Sequence, residues 1–336
     1  MAVTIKDIAR ELSISPAAVS LALNDSPMVS RETTQRVKET ARKMGYVRNQ
    51  YARGLVRGKS GTIALVVPDI ENVYFAALVK HVTSLAPEFD VTISITNESV
   101  DAEWRALRKL VQQRAEAILL APVNRPIAEK AYRDWLAACP VPLVFTTARH
   151  PGVDRPCVMC DLKSGMRDLT AHVANVGAQK IALLTGPAGV QTLDLREAGF
   201  FEALATENRG EVWRVPEVTY QNAYDAGRAT DHMPDALICV NDMMALGVLN
   251  ALGARGVKVP DQVRVAGFDD SVFSAVSAVP LTTVRQDVAL IARRSVEIAL
   301  ASIDGKIADA DEIIPCALVP RKSTLSLQTK SQAPNG

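Results

Sequence analysis

The sequence predicts an α/β protein, with a small three-helix helix-turn-helix head followed by a core of two doubly wound lobes. Three observations carry this expectation. Residues 4–24 read as two short helices joined by a tight turn. From Gly61 onward, short apolar runs alternate with helical patterns. That alternation is repeated with similar rhythm in the second half of the remainder. A chain of 336 residues suits two or three domains rather than one.

The head is read first. Ile5, Ile8, Ala9 and Leu12 recur at helical spacing, and Thr4 with Asp7 forms a capping box before them. The second helix opens on Ser15 as N-cap and Pro16 at the first helical position, where a missing N–H costs nothing. Ala18, Val19, Ala22 and Leu23 are expected to pack inward, with Pro16, Ala17, Ser20 and Leu21 on the outer face. A helix-turn-helix offers its second helix to the DNA major groove in this way. Asp25-Ser26-Pro27 is a loop, Ser30 starts a third helix with Val37, Ala41 and Met44 inward, and Gly45 ends it. A connector follows from Tyr46 to Ser60 and carries Arg48, Arg53, Arg57 and Lys59. Within it Asn49 caps a short helix through Ala52 to Leu55. Gly54 weakens that helix, which orders only when something packs on it.

Charge supports the division. Residues 1–60 hold 11 Lys and Arg against 5 Asp and Glu, a net +6, whereas the remainder holds 27 against 32. A basic head on a mildly acidic body is what a tethered DNA-binding module requires.

The runs TIALVVP (62–68), VTISIT (91–96), AILLAP (117–122) and PLVFTT (142–147) read as strands of one lobe. KIALLTG (180–186), EVWRV (211–215), ALICV (236–240) and VRVAGFD (263–269) read as strands of the other. Helical segments such as 223–232 and 242–256 lie between most of them, which implies parallel sheets covered on both faces. A helix near 289–303 and the segments LTTV and IIPCALVP are expected to thread back between the lobes.

Several chemistries find no support. No apolar run reaches the length of a membrane helix, and the N-terminus is interrupted by Lys6, Asp7, Arg10 and Glu11, so a cytoplasmic protein is expected. The five cysteines need no disulfide framework, and Cys157-x-x-Cys160 lacks a second pair, so a buried strand is favoured over zinc or redox chemistry. The four histidines are scattered. Gly186 to Gly189 follows a strand but lacks a dinucleotide or P-loop signature, and no G-x-S-x-G elbow is present. No catalytic residue, metal or cofactor is expected.

The stretches VTIKDIARELSIS, AVSLALN, VSRETTQRVKETARKMGY and NQYARGLVRGKSGTIALVVPDIENVYFAAL come in the order seen in one family. They are followed by LREAGF, ICVNDMMALGVLNALGARGVKVPDQVRVAGFDDS, LTTVRQD and LVPRKST. Together they resemble the LacI/GalR family of bacterial transcription regulators over nearly the whole chain. The resemblance implies a homodimer with a core like the type I periplasmic binding proteins. It implies a head at 1–46, a hinge at 47–60, an amino lobe at 61–160 with 288–318, and a carboxyl lobe at 161–287 with 319–328. The tail 329–336 is expected to fray.

By the same resemblance, Pro16, Ala17 and Leu21 stand at base-reading positions of a pseudo-palindromic double-stranded DNA operator. Ser15, Ser20, Asn24, Ser30 and Thr33 match phosphate-facing positions, and Thr4 and Tyr46 are further expected DNA-binding residues. Leu21 offers only apolar contact, so weak direct readout is expected, with more burden on DNA shape. Leu55 matches a leucine wedged into the minor groove, with Asn49, Ala52 and Arg53 on the same short helix. Arg48 replaces a usual Pro, and Ser13 replaces a usual Gly. The resemblance also implies a small-molecule effector, a sugar or sugar derivative, between the lobes. Asn72, Tyr74, Phe75, Asp161, Thr192, Arg196, Asn222, Asn241 and Asp269 match cleft positions. Asp161, Asn241, Asp242 and Asp269 are also open to a reading as helix caps, and Arg149 as a solvated loop arginine rather than an extra clamp. A sugar-binding or enzymatic α/β protein with an unrelated helical head is the alternative.

Overall fold

The computed structural model describes residues 3–46, 60–125, 127–204, 210–230, 232–306 and 311–325. The hinge positions Asn49, Ala52, Arg53 and Leu55, with Arg48 and Gly54, lie outside the described residues, as does the tail 329–336. The chain forms two units that divide between residues 60 and 61.

In the first unit, α1 (Ile5–Leu12), α2 (Pro16–Leu23) and α3 (Arg31–Lys43) follow the expected order. Ile8, Ala9, Val19, Ala22, Leu23, Val37 and Ala41 form its buried core, with Met44 and Tyr46 packed at the edge. Each helix start is marked by a polar side chain. The Thr4 amide donates to Asp7 Oδ2 at 2.9 Å, and the Thr4 hydroxyl donates to the same oxygen at 2.7 Å. Ser15 Oγ accepts from the Ala18 amide at 3.1 Å, and Ser30 Oγ from the Thr33 amide at 3.2 Å. Ser13 ends α1 in the left-handed region, at φ 54° and ψ 40°. Glycine adopts that conformation freely, whereas an L-residue there costs roughly 1–2 kcal/mol.

In the second unit, one sheet holds β1 (Thr62–Val67), β2 (Asp90–Ile95), β3 (Ala117–Leu120), β4 (Leu143–Thr146), β5 (Cys157–Cys160) and β11 (Glu312–Ile314). The order is β11-β5-β4-β3-β1-β2, and every pairing is parallel. Its helices are α4 (Val73–Leu85), α5 (Val100–Gln112), α6 (Lys130–Ala137) and the late α12 (Val288–Ile303), which packs on α4 and β3 to β5. The other sheet, in order β7-β6-β8-β9, is also parallel and holds β6 (Ile181–Thr185), β7 (Gly210–Arg214), β8 (Ala236–Cys239) and β9 (Arg264–Ala266). Around it lie α7 (Leu162–Asn175), α8 (Gln191–Ala203), α9 (Tyr220–Ala229), α10 (Asp242–Ala254) and the short α11 (Val272–Val276). Strands inside these sheets are covered on both faces, which is why AILL, LVFT, IALLT and ALIC are buried from end to end. The edge strand β2 differs, leaving Ile93 and Ile95 exposed.

The chain crosses between the lobes three times: after Cys160, at Gln286-Asp287, and at Pro315-Cys316. Beyond the third crossing, β12 (Ala317–Val319) pairs antiparallel with β10 (Thr283–Arg285), so residue 318 lies inside a strand on the carboxyl side. The crossings touch one another. The Asp161 amide donates to the Ile314 carbonyl at 2.8 Å. The Cys316 thiol and the Asp287 amide lie beside Cys160 and hold its thiol below the ordinary value although burial pulls the other way.

Helices α7 and α8 approach closely where Gly199 faces the first turn of α7. A Cβ at Gly199 would lie 2.1 Å from the Lys163 carbonyl oxygen, a backbone atom with no rotamer to yield. Gly199→Ala is therefore expected to separate the two helices and destabilise the core by about 2 kcal/mol or more. Urea unfolding should show a lower midpoint at unchanged slope; an unchanged midpoint would contradict this packing.

Candidate DNA face and inter-lobe cleft

The surface of the head expected to face DNA is small and apolar at its leading edge. Pro16 and Ala17 are exposed on the first turn of α2, and Ser20 and Leu21 are half-buried one turn later. Of the expected phosphate-facing residues, Ser15 and Ser30 already spend their hydroxyl oxygens on capping. Thr33 shares a hydrogen bond with Ser30 at 2.9 Å. Asn24 is turned toward its own helix, donating to the Ser20 carbonyl at 2.8 Å, with Oδ1 buried and unpartnered. Tyr46 packs against the core of the head.

The cleft follows from the parallel topology, since ligands of open α/β sheets sit beyond the carboxyl ends of strands. Asn124 and Thr147 come just after β3 and β4, and Asn241 and Asp269 just after β8 and β9. All four line one cavity, with Asn72, Tyr74 and Phe75 on the amino side and Thr192 and Arg196 on the carboxyl side. Asp161 and Asn222 are not among its lining residues. Asp161 Oδ1 caps α7 by accepting from the Ser164 amide at 3.0 Å, and those bonds with nearby Arg167 and Lys163 outweigh desolvation to lower its pKa. Asn222 sits on the first turn of α9 and donates to the Glu217 carbonyl at 3.1 Å.

Arg196 is the central cation. It is 8 % exposed, its guanidinium lies 4.4 Å over the Phe268 ring, and its Nε is buried without a partner. Asp269 faces it at 3.7 Å. Gln286 Nε2 donates to Asp269 Oδ1 at 2.7 Å, and the Tyr74 hydroxyl donates to Gln286 Oε1 at 3.4 Å. A polar chain thus runs from the amino lobe to Arg196. A second link joins Thr192 Oγ1 to Asn124 Oδ1 across the cleft at 3.1 Å. Thr147 and Asp269 have φ of 78° and 120°, strained values for residues with side chains and of a kind that clusters at functional sites. The cavity is about 60 Å³, well under the roughly 300 Å³ at which ligand pockets begin. A sugar-sized occupant requires the walls to part.

The cap alternatives divide cleanly. Asn241 is a cap, accepting from the Met244 amide at 2.8 Å, and also lines the cleft. Asp242 is a buried strut, accepting from the Ser271 amide at 2.7 Å, Ser274 Oγ at 2.5 Å and Thr283 Oγ1 at 2.6 Å. Burial pushes Asp242 up to about 6 and Asp269 up to about 8, against the pull of those donors and of Arg196 respectively. Gln286, Asn124, Thr147 and Phe268 were not among the cleft residues expected from the sequence. The rule that singled out Asn241, a polar residue just after a strand, applies equally to Asn124 after AILLAP. Gln286 carries no such signal. Among the described residues no cluster of His, Cys, Asp or Glu could hold a metal ion, and no helix is long and apolar enough to cross a membrane.

Comparison with known proteins bears on both regions. Residues 4–49 match the family described as bacterial regulatory proteins, lacI family, and residues 170–324 match a periplasmic binding protein-like domain. The chain is 30 % identical over 313 residues to the HTH-type transcriptional regulator GalS of Salmonella typhimurium, covering 91 % of each chain. It is 28 % identical over 343 residues to the lactose operon repressor of Escherichia coli, covering 99 % of this chain and 93 % of that one. Its fold matches the lac repressor dimer bound to operator and the anti-inducer ONPF with a TM-score of 0.85 at 26 % identity, over 97 % of this chain and 100 % of that one. It also matches a CelR–cellobiose complex with a TM-score of 0.70 at 26 % identity, over 96 % and 99 %.

The two raised carboxyls set a pH dependence. Each folded-state value lies above the roughly 3.9 of an unfolded Asp, so the folded state holds its protons longer as pH rises. Core stability is expected to be greatest below about pH 4 with respect to these groups and to fall as pH rises toward 8. Asp242→Asn should flatten that fall between about pH 4 and 6, and Asp269→Asn should flatten it across about pH 4 to 8, read from urea midpoints against pH.

Proposed function

The chain belongs to the LacI family of bacterial regulatory proteins, and we propose that it is a cytoplasmic, homodimeric transcriptional repressor under small-molecule control. Its hold on a pseudo-palindromic operator is set by a sugar or sugar derivative taken between the lobes. The observation that carries the effector half of this reading is Arg196, a buried guanidinium with an unspent Nε beside a buried carboxyl. A hydroxylated ligand supplies acceptors for the former and donors for the latter, completing bonds that the protein leaves open. The match to a cellobiose complex supports that ligand class. Binding must favour one lobe arrangement over another, and the DNA the other, for the effector to control the repressor.

The DNA half rests on the marked helix starts, the +6 charge of residues 1–60 and the match to an operator-bound structure. Pro16, Ala17 and Leu21 offer no side-chain donor to a base, so positioning falls to phosphate contacts, and specificity to shape and to the hinge around Leu55. Dimer formation is supported by exposed apolar side chains in two places. Val272, Phe273 and Val276 of α11 are 46 to 73 % exposed, and Ile93 and Ile95 stand on the open edge strand β2.

Two measurements test the reading. In a gel shift with palindromic DNA, affinity should fall steeply with salt, and Leu55→Ala should weaken binding while the head still melts normally. Failure to find any sequence bound better than random DNA would sink the repressor assignment. In a thermal-shift screen of the full chain against sugars, polyols and sugar phosphates, at least one compound should raise the melting temperature by mass action. Arg196→Ala should weaken that compound's binding by roughly 10- to 100-fold.

A further inference from the structure

Past Asn124 and Thr192, the cleft opens into a second compartment of about 340 Å³, a volume in the range of ordinary ligand pockets. Its amino-lobe wall carries Arg125, Arg133, Arg149 and His150, and among the described residues no acidic side chain lines it. Three of these four are matched. Arg125 pairs with Glu217 at 2.8 Å, Arg149 pairs with Asp311, and His150 pairs with Glu103 at 2.6 Å. Arg133 is half-buried, and among the described residues its guanidinium hydrogen bonds only to the Ile127 carbonyl, at 2.5 Å. No carboxylate among the described residues pairs with it.

The opposite wall is the start of α8, a 13-residue helix whose N-cap is Val190, a residue with no capping oxygen in its side chain. The Leu193 and Asp194 amides bond to the Val190 carbonyl. Those of Gln191 and Thr192 are the orphan donors at the positive end of the helix, where anions are favoured. The nearby carboxylates are already held, Glu98 by the Asn124 amide at 2.6 Å and Asp194 by the Gly189 amide at 3.1 Å. Just inside the cleft, Arg196 Nε is buried and unpartnered.

We propose that this compartment is an anion subsite, and that the effector is a saccharide bearing a phosphate or a carboxylate. Its hydroxyls meet Arg196, Asp269 and Gln286, while its charged group sits between Arg133 and the first amides of α8. This rests on the effector-binding reading above. A neutral sugar confined to the cleft leaves Arg133 with no counter-charge. An anion reaching past Asn124 gains a charge-assisted bond from the guanidinium and two from the helix start.

Calorimetry on the full chain at low ionic strength tests this, first with inorganic phosphate and then with glucose, glucose 6-phosphate and glucuronate as matched probes. Phosphate should bind, Arg133→Gln should weaken it at least tenfold, Arg133→Lys should retain most of it, and Arg196→Ala should change it little. Glucose 6-phosphate or glucuronate should bind at least tenfold tighter than glucose, an advantage lost in Arg133→Gln; which of the two gains more separates phosphate from carboxylate. The subsite is overturned if phosphate does not bind, or if its binding depends on Arg196 and not on Arg133. It is equally overturned if neither anionic probe outbinds glucose. Full binding of all sugars by Arg196→Ala, with phosphate still sensitive to Arg133, would instead overturn the cleft assignment and leave the anion site standing.

Discussion

Arg196 and Asp269 are both buried, and they stand 3.7 Å apart without closing to a hydrogen bond. Two ionisable groups removed from water gain little from each other unless their remaining donors and acceptors are satisfied. Here they are satisfied only in part: Phe268 covers one face of the guanidinium, and Gln286 donates to the carboxyl. Much of the surrounding structure serves to hold this incomplete pair in place. Helix α8 is fixed by the contact of Gly199 with α7, and Asp269 is fixed by its backbone bridge to Arg285 and an unusual φ of 120°. The pair is left short of internal satisfaction.

Asp242 shows the opposite use of a buried carboxyl one strand away. It accepts three hydrogen bonds from Ser271, Ser274 and Thr283, tying the start of α10 to the segment after β9 and to β10. It adds nothing to the lining of the cleft. Its neighbour Asn241 takes over the capping of α10 and keeps a place in that lining. Of two adjacent polar residues after one strand, one therefore ties three elements together and the other caps a helix while facing the cavity.

Much of this was legible in the sequence because parallel strands covered on both faces appear as unbroken apolar runs, and AILL and ALIC read as strands without context. The head was equally legible, since Thr4, Ser15 and Ser30 are local signals that need no tertiary information. Asn241 and Asp269 were legible as polar residues that follow a strand, whereas Asn72, Tyr74, Phe75, Thr192 and Arg196, which line the same cavity, were legible only through the family resemblance. Asp161 and Asn222 match cleft positions in sequence, yet one caps α7 and the other is bonded to Glu217, outcomes set by side-chain rotation rather than by spacing. Gln286 depends on how the crossing segment after β10 is folded against Tyr74, a contact separated by 212 residues, and no local pattern announces it.

The three crossings between the lobes lie side by side, and Cys160 touches the other two through the Cys316 thiol and the Asp287 amide. In mechanical terms, three tethers bound at nearly one point resist sliding and stretching, and leave rotation about that point as the soft motion. The polar links at Asn124 and Thr192, and at Arg149 and Gln191, also join the two lobes, through residues other than the crossings. A rotation of that kind would have to break these few hydrogen bonds, while the crossings themselves stayed joined.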